Sequence, residues 1–451
     1  MNTIECPLLI IGAGPAGLAA AAAAAVSGCA IHVIDDNPRS GGQIWRGGAD
    51  KQADQRAQTL WKETSNNEKI HFHFQSKVVH VARNSDGSFD VITEGQAGAR
   101  TQHFHAQKLI LCTGARELLL PFPGWTLAGV TGAGGLQALA KGGYPVAGKR
   151  IVVAGSGPLL LAVAASLIER GAIVTHILEQ SNLSQLRQFS LHLLATPSKI
   201  WQALQLALRL RSTQYLYDSY VVSAHGDTEI KQLVAKVRGQ QITLECDYLA
   251  CGFGLIPNSD LGAAFGCELS TDNPASCNAA LPSDATEKKS HHLSAHPRVI
   301  VDALQQTSVQ GLYAAGEICG VGGVDLALVE ARIAGYAATG QDEQAKSFAN
   351  ERKRWQKFAA QLDHCFRLRD ELRHLCQADT IVCRCEDVRY TQLQERKNWR
   401  AAKLHTRCGM GACQGRVCGG ANRFLFGWER DAGRLPLFAS RIESIESISV
   451  E

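Results

Sequence analysis

Five cysteines between positions 383 and 418 carry the densest chemistry in this chain. They stand in Cys383-Arg384-Cys385-Glu386 and in Thr406-Arg407-Cys408-Gly409-Met410-Gly411-Ala412-Cys413-Gln414-Gly415-Arg416-Val417-Cys418. An iron–sulfur cluster needs four thiolates on turns tight enough to converge. A C-x-C pair suits a loop wrapped around two irons, and Gly409, Gly411, Gly415, Gly419 and Gly420 give the backbone that freedom. Two ferric ions, two sulfides and four thiolates sum to a formal charge of about −2. The nearby Arg384, Arg407 and Arg416 suit such an anion. Zinc is the rival, although structural zinc sites favour C-x2–4-C pairs and C-x-C fits them less well. Cys365 and Cys376, on an expected helix, read as structural.

A second constellation lies at the N-terminus. Gly12-Ala13-Gly14-Pro15-Ala16-Gly17 follows the apolar run Leu8–Ile11 and precedes an alanine run, Ala19 to Ala25. Ile31–Ile34 then reads as another strand, ending at Asp35 and Asp36. Gly12 allows the tight turn, Gly14 lets backbone approach a pyrophosphate, and Gly17 lets helix and strand pack closely. The helix start offers unpaired N–H groups to phosphates, and Asp35 suits the adenosine ribose hydroxyls. Strand, fingerprint, small-residue helix, second strand and acid in register make a dinucleotide site.

A similar unit recurs at Ile151–Ala154, Gly155-Ser156-Gly157-Pro158-Leu159-Leu160, a helix to Arg170 and a strand ending at Glu179. Here the third glycine is Leu160, which is expected to push the helix off the strand and alter the pocket. Glu179 suits an unphosphorylated ribose and disfavours NADPH. The unit reads either as a site for NAD or another adenine nucleotide, or as a retained fold with no role in turnover.

The elements that must position these sites are those of an α/β protein with two Rossmann-like units and a small C-terminal module. Length allows two to four domains, and 45% hydrophobic with 20% charged residues suits a globular protein. The net charge of +4 is too small to argue for nucleic acid. It is uneven: residues 346–451 hold 20 Lys+Arg against 13 Asp+Glu, so the rest is slightly acidic. Such a tail is either a solvated face or a basic shell around an anionic cofactor. Residues 8–34 are nearly uncharged, but their glycines and Pro15 argue against a membrane span. Fifteen cysteines without a visible secretory signal lead us to expect a reducing, cytoplasmic setting, with association at the inner face of the membrane left open.

With Gly41-Gly42-Gln43, Val79, Leu109–Ala115 and Gly311–Glu317 added, the chain resembles the glutathione-reductase-like flavoproteins. That resemblance implies FAD held by Gly12, Gly14, Pro15, Ala16, Gly17, Asp35, Asp36, Gly42, Gln43, Val79, Thr113, Gly114, Ala115, Gly316 and Glu317. It implies an FAD domain made of residues 1–118 and 254–342, with an inserted NAD-like domain, 119–253. Gly155, Ser156, Gly157, Pro158 and Glu179 would hold the second nucleotide. Disulfide reductases of that superfamily carry paired cysteines beside the flavin. Gly42 to Gly47 contains none, and between 116 and 250 the only cysteine is Cys246. No acid–base pair stands out; His71, His73, His103 and His105 alternate on expected strands and read as surface-face residues.

The C-terminal module resembles the bacterioferritin-associated-ferredoxin-like [2Fe–2S] domain, expected at 377–451 after a helical linker at 343–376. The likeness names Cys383, Cys385, Cys413 and Cys418 as ligands, with Cys408 the alternative to Cys418. Gly-Gly-Gln-Ile-Trp, Gly-Ser-Gly-Pro-Leu-Leu-Leu, Cys-Gly-Phe-Gly-Leu-Ile-Pro-Asn and the cysteine stretch together resemble one family. It comprises the α subunits of octopine and nopaline oxidases, of D-hydroxyproline and dye-linked proline dehydrogenases, and the B subunit of hydrogen cyanide synthase. The resemblance implies a flavoprotein partner subunit like D-amino-acid oxidase that oxidises a secondary amine or amino acid. A small ferredoxin-like subunit and FMN at a subunit interface are further options. Electrons would pass through this chain to a quinone or other acceptor. Two other readings stay open: a stand-alone NADH-dependent flavin reductase, and a scaffold subunit without catalysis.

Overall fold

The computed structural model describes residues 3–49, 54–95, 101–194, 196–271, 296–430 and 435–446. Residues 272–295 of the expected second FAD segment and 447–451 of the expected tail lie outside the described residues.

Leu8–Ile11 is buried on both faces because its strand, Thr3–Ile11, sits mid-sheet. It pairs in parallel with Ile31–Ile34 on one side and with Gln102–Leu111 on the other. Ile70–His73 extends the sheet beyond Ile31–Ile34. Gln102–Leu111 changes neighbours along its length. Its first half pairs antiparallel with Phe89–Gly95, which pairs with Ser76–Arg83, and its last residues pair in parallel with Leu312–Ala314. The parallel strands all point their carboxyl ends to one edge, where ligands bind in open α/β sheets.

The alanine run forms the helix Pro15–Ala25, apolar almost all round and therefore buried almost all round. Its small side chains permit very close packing against the helix Gly323–Ala338. A Cβ on Gly335 would stand 2.4 Å from the Ala20 carbonyl oxygen. The glycine turn is equally tight: a Cβ on Gly17 would lie 1.7 Å from the Gly12 carbonyl oxygen.

The second unit is a five-stranded parallel sheet in the order Gln214–Leu216, Ile173–Glu179, Arg150–Gly155, Tyr248–Gly252, Val130–Gly132. A three-stranded antiparallel sheet, Ser219–His225, Gln232–Val237 and Gln240–Glu245, accompanies it. The two chain crossings between units pair with each other, Ala115–Glu117 against Leu255–Pro257. Leu160 does not displace its helix. It is fully buried beside Gly252, a glycine whose missing side chain makes the room.

The segment after residue 342 is less helical than its polarity predicts. The helix Ala349–Cys365 stops, Phe366–Arg369 is irregular, and only a short 3-10 turn follows at Asp370–His374. Cys376 therefore lies beyond the helix, with its thiol on the Pro121 carbonyl at 3.3 Å. The cysteine module has its own small core. Val382, Val388, Leu393, Trp399, Ala402 and Trp428 surround Cys383, Cys408 and Cys418. The chain then returns to the first unit, where Arg441 pairs with Glu94 at 2.7 Å and Lys77 donates to the Ala439 carbonyl.

Candidate functional site

The strand ends of the first sheet open into a cleft of about 430 Å3. Gly12, Gly14, Pro15, Ala16, Asp35, Asp36, Gly42, Gln43, Thr113, Gly114, Ala115 and Glu317 line it. Gly17 and Gly316 stand behind the wall: Gly17 lets the helix meet the turn, and Gly316 donates its N–H to Glu330 at 3.1 Å. Val79 does not reach the cleft. A β-bulge between Val78 and His80 interrupts the pairing with Phe89–Gly95, and the wall is made by Ser76, Lys77 and Val78 instead.

Asp35 fixes the turn as well as facing the cleft. One carboxylate oxygen accepts from the Ala13 N–H at 2.6 Å and the other from the Asn37 N–H at 2.8 Å. Burial, and then the Asp35 charge, push the Asp36 carboxyl up. The helix Pro15–Ala25 starts without a side-chain cap and without an acid in its first turn. Its unpaired N–H groups and positive dipole end face the cleft. On Gly14 a Cβ would meet nothing nearer than 3.8 Å, so the bareness there leaves room for a ligand, not for packing. These residues fit a dinucleotide with its pyrophosphate on the turn. Glu317 is half-buried in the deep wall, and burial raises its carboxyl to about 7.

Sequence reasoning missed several wall residues. Asn258 and Thr113 bind each other, Thr113 Oγ1 donating to the Asn258 carbonyl at 2.8 Å and Asn258 Nδ2 to the Thr113 carbonyl at 2.9 Å. Arg116 donates to Asn258 Oδ1 at 2.9 Å; burial lowers its guanidinium to about 10 even with Asp260 beside it. Leu437, Phe438 and Arg416 also line the cleft, brought there from the C-terminal module. Arg416 stacks on Phe438 at 4.0 Å and donates to the carbonyls of Leu437 and Cys413. Asp260 also pairs with Arg430, tying the module to the cleft rim.

Cys112 lines the cleft too. Burial pushes its thiol well up, as it does for the buried Cys319, which is the wrong direction for a reactive thiolate.

In the cysteine module, the sulfurs of Cys383, Cys408 and Cys418 all lie within 4.8 Å of one another, buried. Cys385, exposed, contacts both the backbone and the thiol of Cys413 at the rim. Thiol hydrogen bonds from Cys408 and Cys418 drop the Cys383 thiol to about 2, while Cys418 is pushed up. Cys408 has an outside partner as well, Asn422 Nδ2 at 3.4 Å. The trio and the rim pair offer the soft thiolate donors that a [2Fe–2S] cluster takes, but of the four ligands named from the sequence only Cys383 and Cys418 belong to the trio, with Cys408 as its third member. Two of the glycines have a packing reason that spacing did not reveal: a Cβ on Gly409 or Gly415 would strike the Trp399 ring, at 2.5 and 2.9 Å.

The second glycine turn is covered by the chain itself. Ser156 Oγ donates to the Phe366 carbonyl at 2.7 Å, and the Phe366 side chain lies over Gly157, 3.5 Å from where a Cβ would stand. Gln180 Nε2 donates to the Arg367 carbonyl and to Ser156 Oγ, and Gln180 Oε1 accepts from the Arg369 N–H. Glu179 is buried, its two oxygens accepting from Gly157 N–H at 2.7 Å and Ser181 N–H at 2.9 Å. Gly155 packs on the Gly252 carbonyl, and Pro158 precedes the helix Leu159–Ile168. Gly155, Ser156, Gly157, Pro158 and Glu179, named for a second nucleotide, do come together at this turn, and Phe366–Arg369 packs over it. The histidines are also placed. His103 and His105 bind Asp90 at 2.8 and 3.0 Å, and His73 pairs with His32 at 3.0 Å, while the cleft wall contains none of them.

Fold and cleft define an FAD-dependent oxidoreductase with paired Rossmann-type sheets. The chain belongs to the pyridine nucleotide-disulphide oxidoreductase family, whose sequence model matches residues 7–338. It is 30% identical to an opine oxidase subunit of Rhizobium meliloti (strain 1021), over 91% of this chain and 90% of that one. It is 28% identical to the hydrogen cyanide synthase subunit HcnB of Pseudomonas aeruginosa, over 98% and 99%. In fold it is similar to L-proline dehydrogenase from P. horikoshii, with a TM-score of 0.68 at 15% identity, covering 98% of this chain and 80% of that one.

Proposed function

We propose that this chain is the FAD- and [2Fe–2S]-containing subunit of a heteromeric dehydrogenase for a secondary amine or amino acid of the opine, D-hydroxyproline, proline or glycine class. Substrate oxidation belongs to a partner flavoprotein subunit, and this chain relays the electrons to a quinone or other acceptor. The relatives named as opine oxidase and hydrogen cyanide synthase subunits support an assembly of this kind. The reading divides the chain into an FAD domain (1–118 and 254–342), an inserted domain (119–253), a linker (343–376) and the cluster module (377–451).

The carrying observation is Arg416. It lies between Cys413 and Cys418, bonds the Cys413 carbonyl, and forms part of the FAD cleft wall. A flavin accepts two electrons together and releases them singly, which suits it to feed a one-electron cluster. The chain's own residues do the rest. Gly12–Gly17 and the helix start receive the pyrophosphate, and Asp35 and Asp36 face the adenosine end. Asp260, held between Arg430 and Arg116, keeps the module against the cleft. For the cluster, Cys383 and Cys418 of the buried trio with the rim pair Cys385 and Cys413 supply four thiolates, leaving Cys408 on Asn422.

The rival NADH reductase needs the second glycine turn, and Phe366–Arg369 covers it. The test is anaerobic purification of the chain alone, with iron, sulfide and flavin quantified before NADH is added. Two irons and one FAD per chain, with no bleaching by NADH, are expected. Bleaching within seconds overturns the partner-dependent reading, and zinc in place of iron overturns the cluster.

A further inference from the structure

The helix Pro197–Arg209 packs against the protein on one side only, and none of its residues is fully buried. Ala203 and Leu206, with Leu210 just beyond the helix, turn inward. At about 100° per residue, Trp201, Leu204 and Leu208 share an arc of roughly 60° on nearly the opposite side. Trp201 is 65% exposed and Leu208 74%. The preceding helix, Leu183–Leu193, ends in the same manner, with Leu191 69% and Leu194 68% exposed. Isolated exposed leucines need no explanation, but a stripe of tryptophan and leucines facing away from the core does.

The charge of this segment says what covers it. From Gln180 to Tyr217 there is no aspartate or glutamate, while Arg187, Lys199, Arg209 and Arg211 are present. On the helix Pro197–Arg209, Ser198, Gln202, Gln205 and Arg209 form the polar flank beside the stripe. Lys199 and Arg209 are tied to the body through Asp325 and Glu169, which fixes the stripe outward. Arg187 and Arg211 are exposed and have no ion pair among the described residues. Trp and Leu on one face, a cationic and polar flank and no acid over a long stretch match a helix lying in an anionic lipid interface. No helix among the described residues is long and apolar enough to cross a membrane, so the contact is with the surface.

We propose that the Leu183–Arg209 helical pair docks this protein onto an anionic lipid bilayer, with Trp201, Leu204 and Leu208 entering the headgroup boundary and Arg187 and Arg211 meeting lipid phosphates. The inference rests on the patch alone, not on the relay.

The test is sedimentation of the flavin-loaded full chain with vesicles of equal parts phosphatidylglycerol and phosphatidylcholine, against vesicles of phosphatidylcholine alone. The chain is expected to sediment with the anionic vesicles and at least fivefold less with the neutral ones. A Trp201→Ser, Leu204→Ser, Leu208→Ser variant keeps its flavin, since these side chains leave the core untouched, and loses at least tenfold in vesicle partition. Three results overturn the proposal: a chain left in the supernatant with anionic vesicles, a triple variant that sediments like the parent, or equal sedimentation with neutral vesicles. If the triple variant instead changes only the oligomeric state in vesicle-free solution, the stripe is a protein interface and the lipid proposal falls.

Discussion

Gly14 and Gly17 stand three residues apart in one turn, yet replacing each by alanine is expected to break different things. On Gly17 the new Cβ would sit 1.7 Å from the Gly12 carbonyl oxygen. Ordinary contact between such atoms is about 3.5 Å, so the helix Pro15–Ala25 has to retreat by roughly 1.8 Å. That helix is locked against Gly323–Ala338 by contacts that leave no slack, so the strain has nowhere to go. Overpacking of this kind costs about 1–3 kcal/mol and sometimes more. On Gly14 the Cβ meets nothing within 3.8 Å, and its φ of −73° is open to any residue. Alanine there costs the apoprotein nothing and gains a few tenths of a kcal/mol through the unfolded chain. The methyl does intrude where a pyrophosphate approaches the backbone. A penalty of about 1–3 kcal/mol corresponds to roughly 5- to 150-fold weaker FAD binding. Urea unfolding of the apoproteins, followed by titration with FAD and flavin fluorescence, separates the two. Gly17→Ala should unfold earlier, while Gly14→Ala should unfold with the parent and bind FAD poorly. A Gly14→Ala apoprotein that binds FAD as tightly as the parent would refute the placement of the pyrophosphate on this turn.

Cys408→Ala is expected to retain most of the iron and sulfide, and Cys383→Ala to lose nearly all of both; loss of iron in Cys408→Ala would make Cys408 a ligand. Glu317→Gln probes a half-buried carboxyl whose folded value is raised from 4.5 to about 7. Such a group adds stability below its unfolded value and loses it as pH rises through the folded one. Relative to the parent, the Glu317→Gln apoprotein should therefore gain up to about 3 kcal/mol between pH 4.5 and 8. Melting curves across that range check this, and a constant difference refutes it. Asp260→Ala leaves Arg116, Arg416 and Arg430 facing one another. A loss of about 2–3 kcal/mol is expected, together with faster proteolysis between the FAD domain and the cysteine module; unchanged cleavage would deny Asp260 its anchoring role.

Local grammar explains what was legible. Leu8–Ile11, Gly12–Gly17, the alanine run and Asp35 each have one sensible conformation and support one another, so the first unit and most of its wall followed from order along the chain. The absence of cysteine in Gly42–Gly47 was equally readable. Val79 was named from the resemblance alone, and the bulge beside it, which leaves Ser76, Lys77 and Val78 to line the cleft, had no signal in the sequence.

The sequence by itself determined two βαβ units, a dinucleotide turn whose glycines and acid agree in register, and a cysteine spacing that asks for thiolate chemistry. Only the tertiary structure decided that Phe366 closes the second turn, that Arg416 joins the cysteine module to the FAD cleft, and that Trp201, Leu204 and Leu208 face outward. Periodicity says which residues share a face, since that depends on neighbours three or four positions away. What covers the face depends on segments some two hundred residues distant, as with Ser156 and Phe366. Those pairings are set by packing of the whole chain, where no local rule reaches.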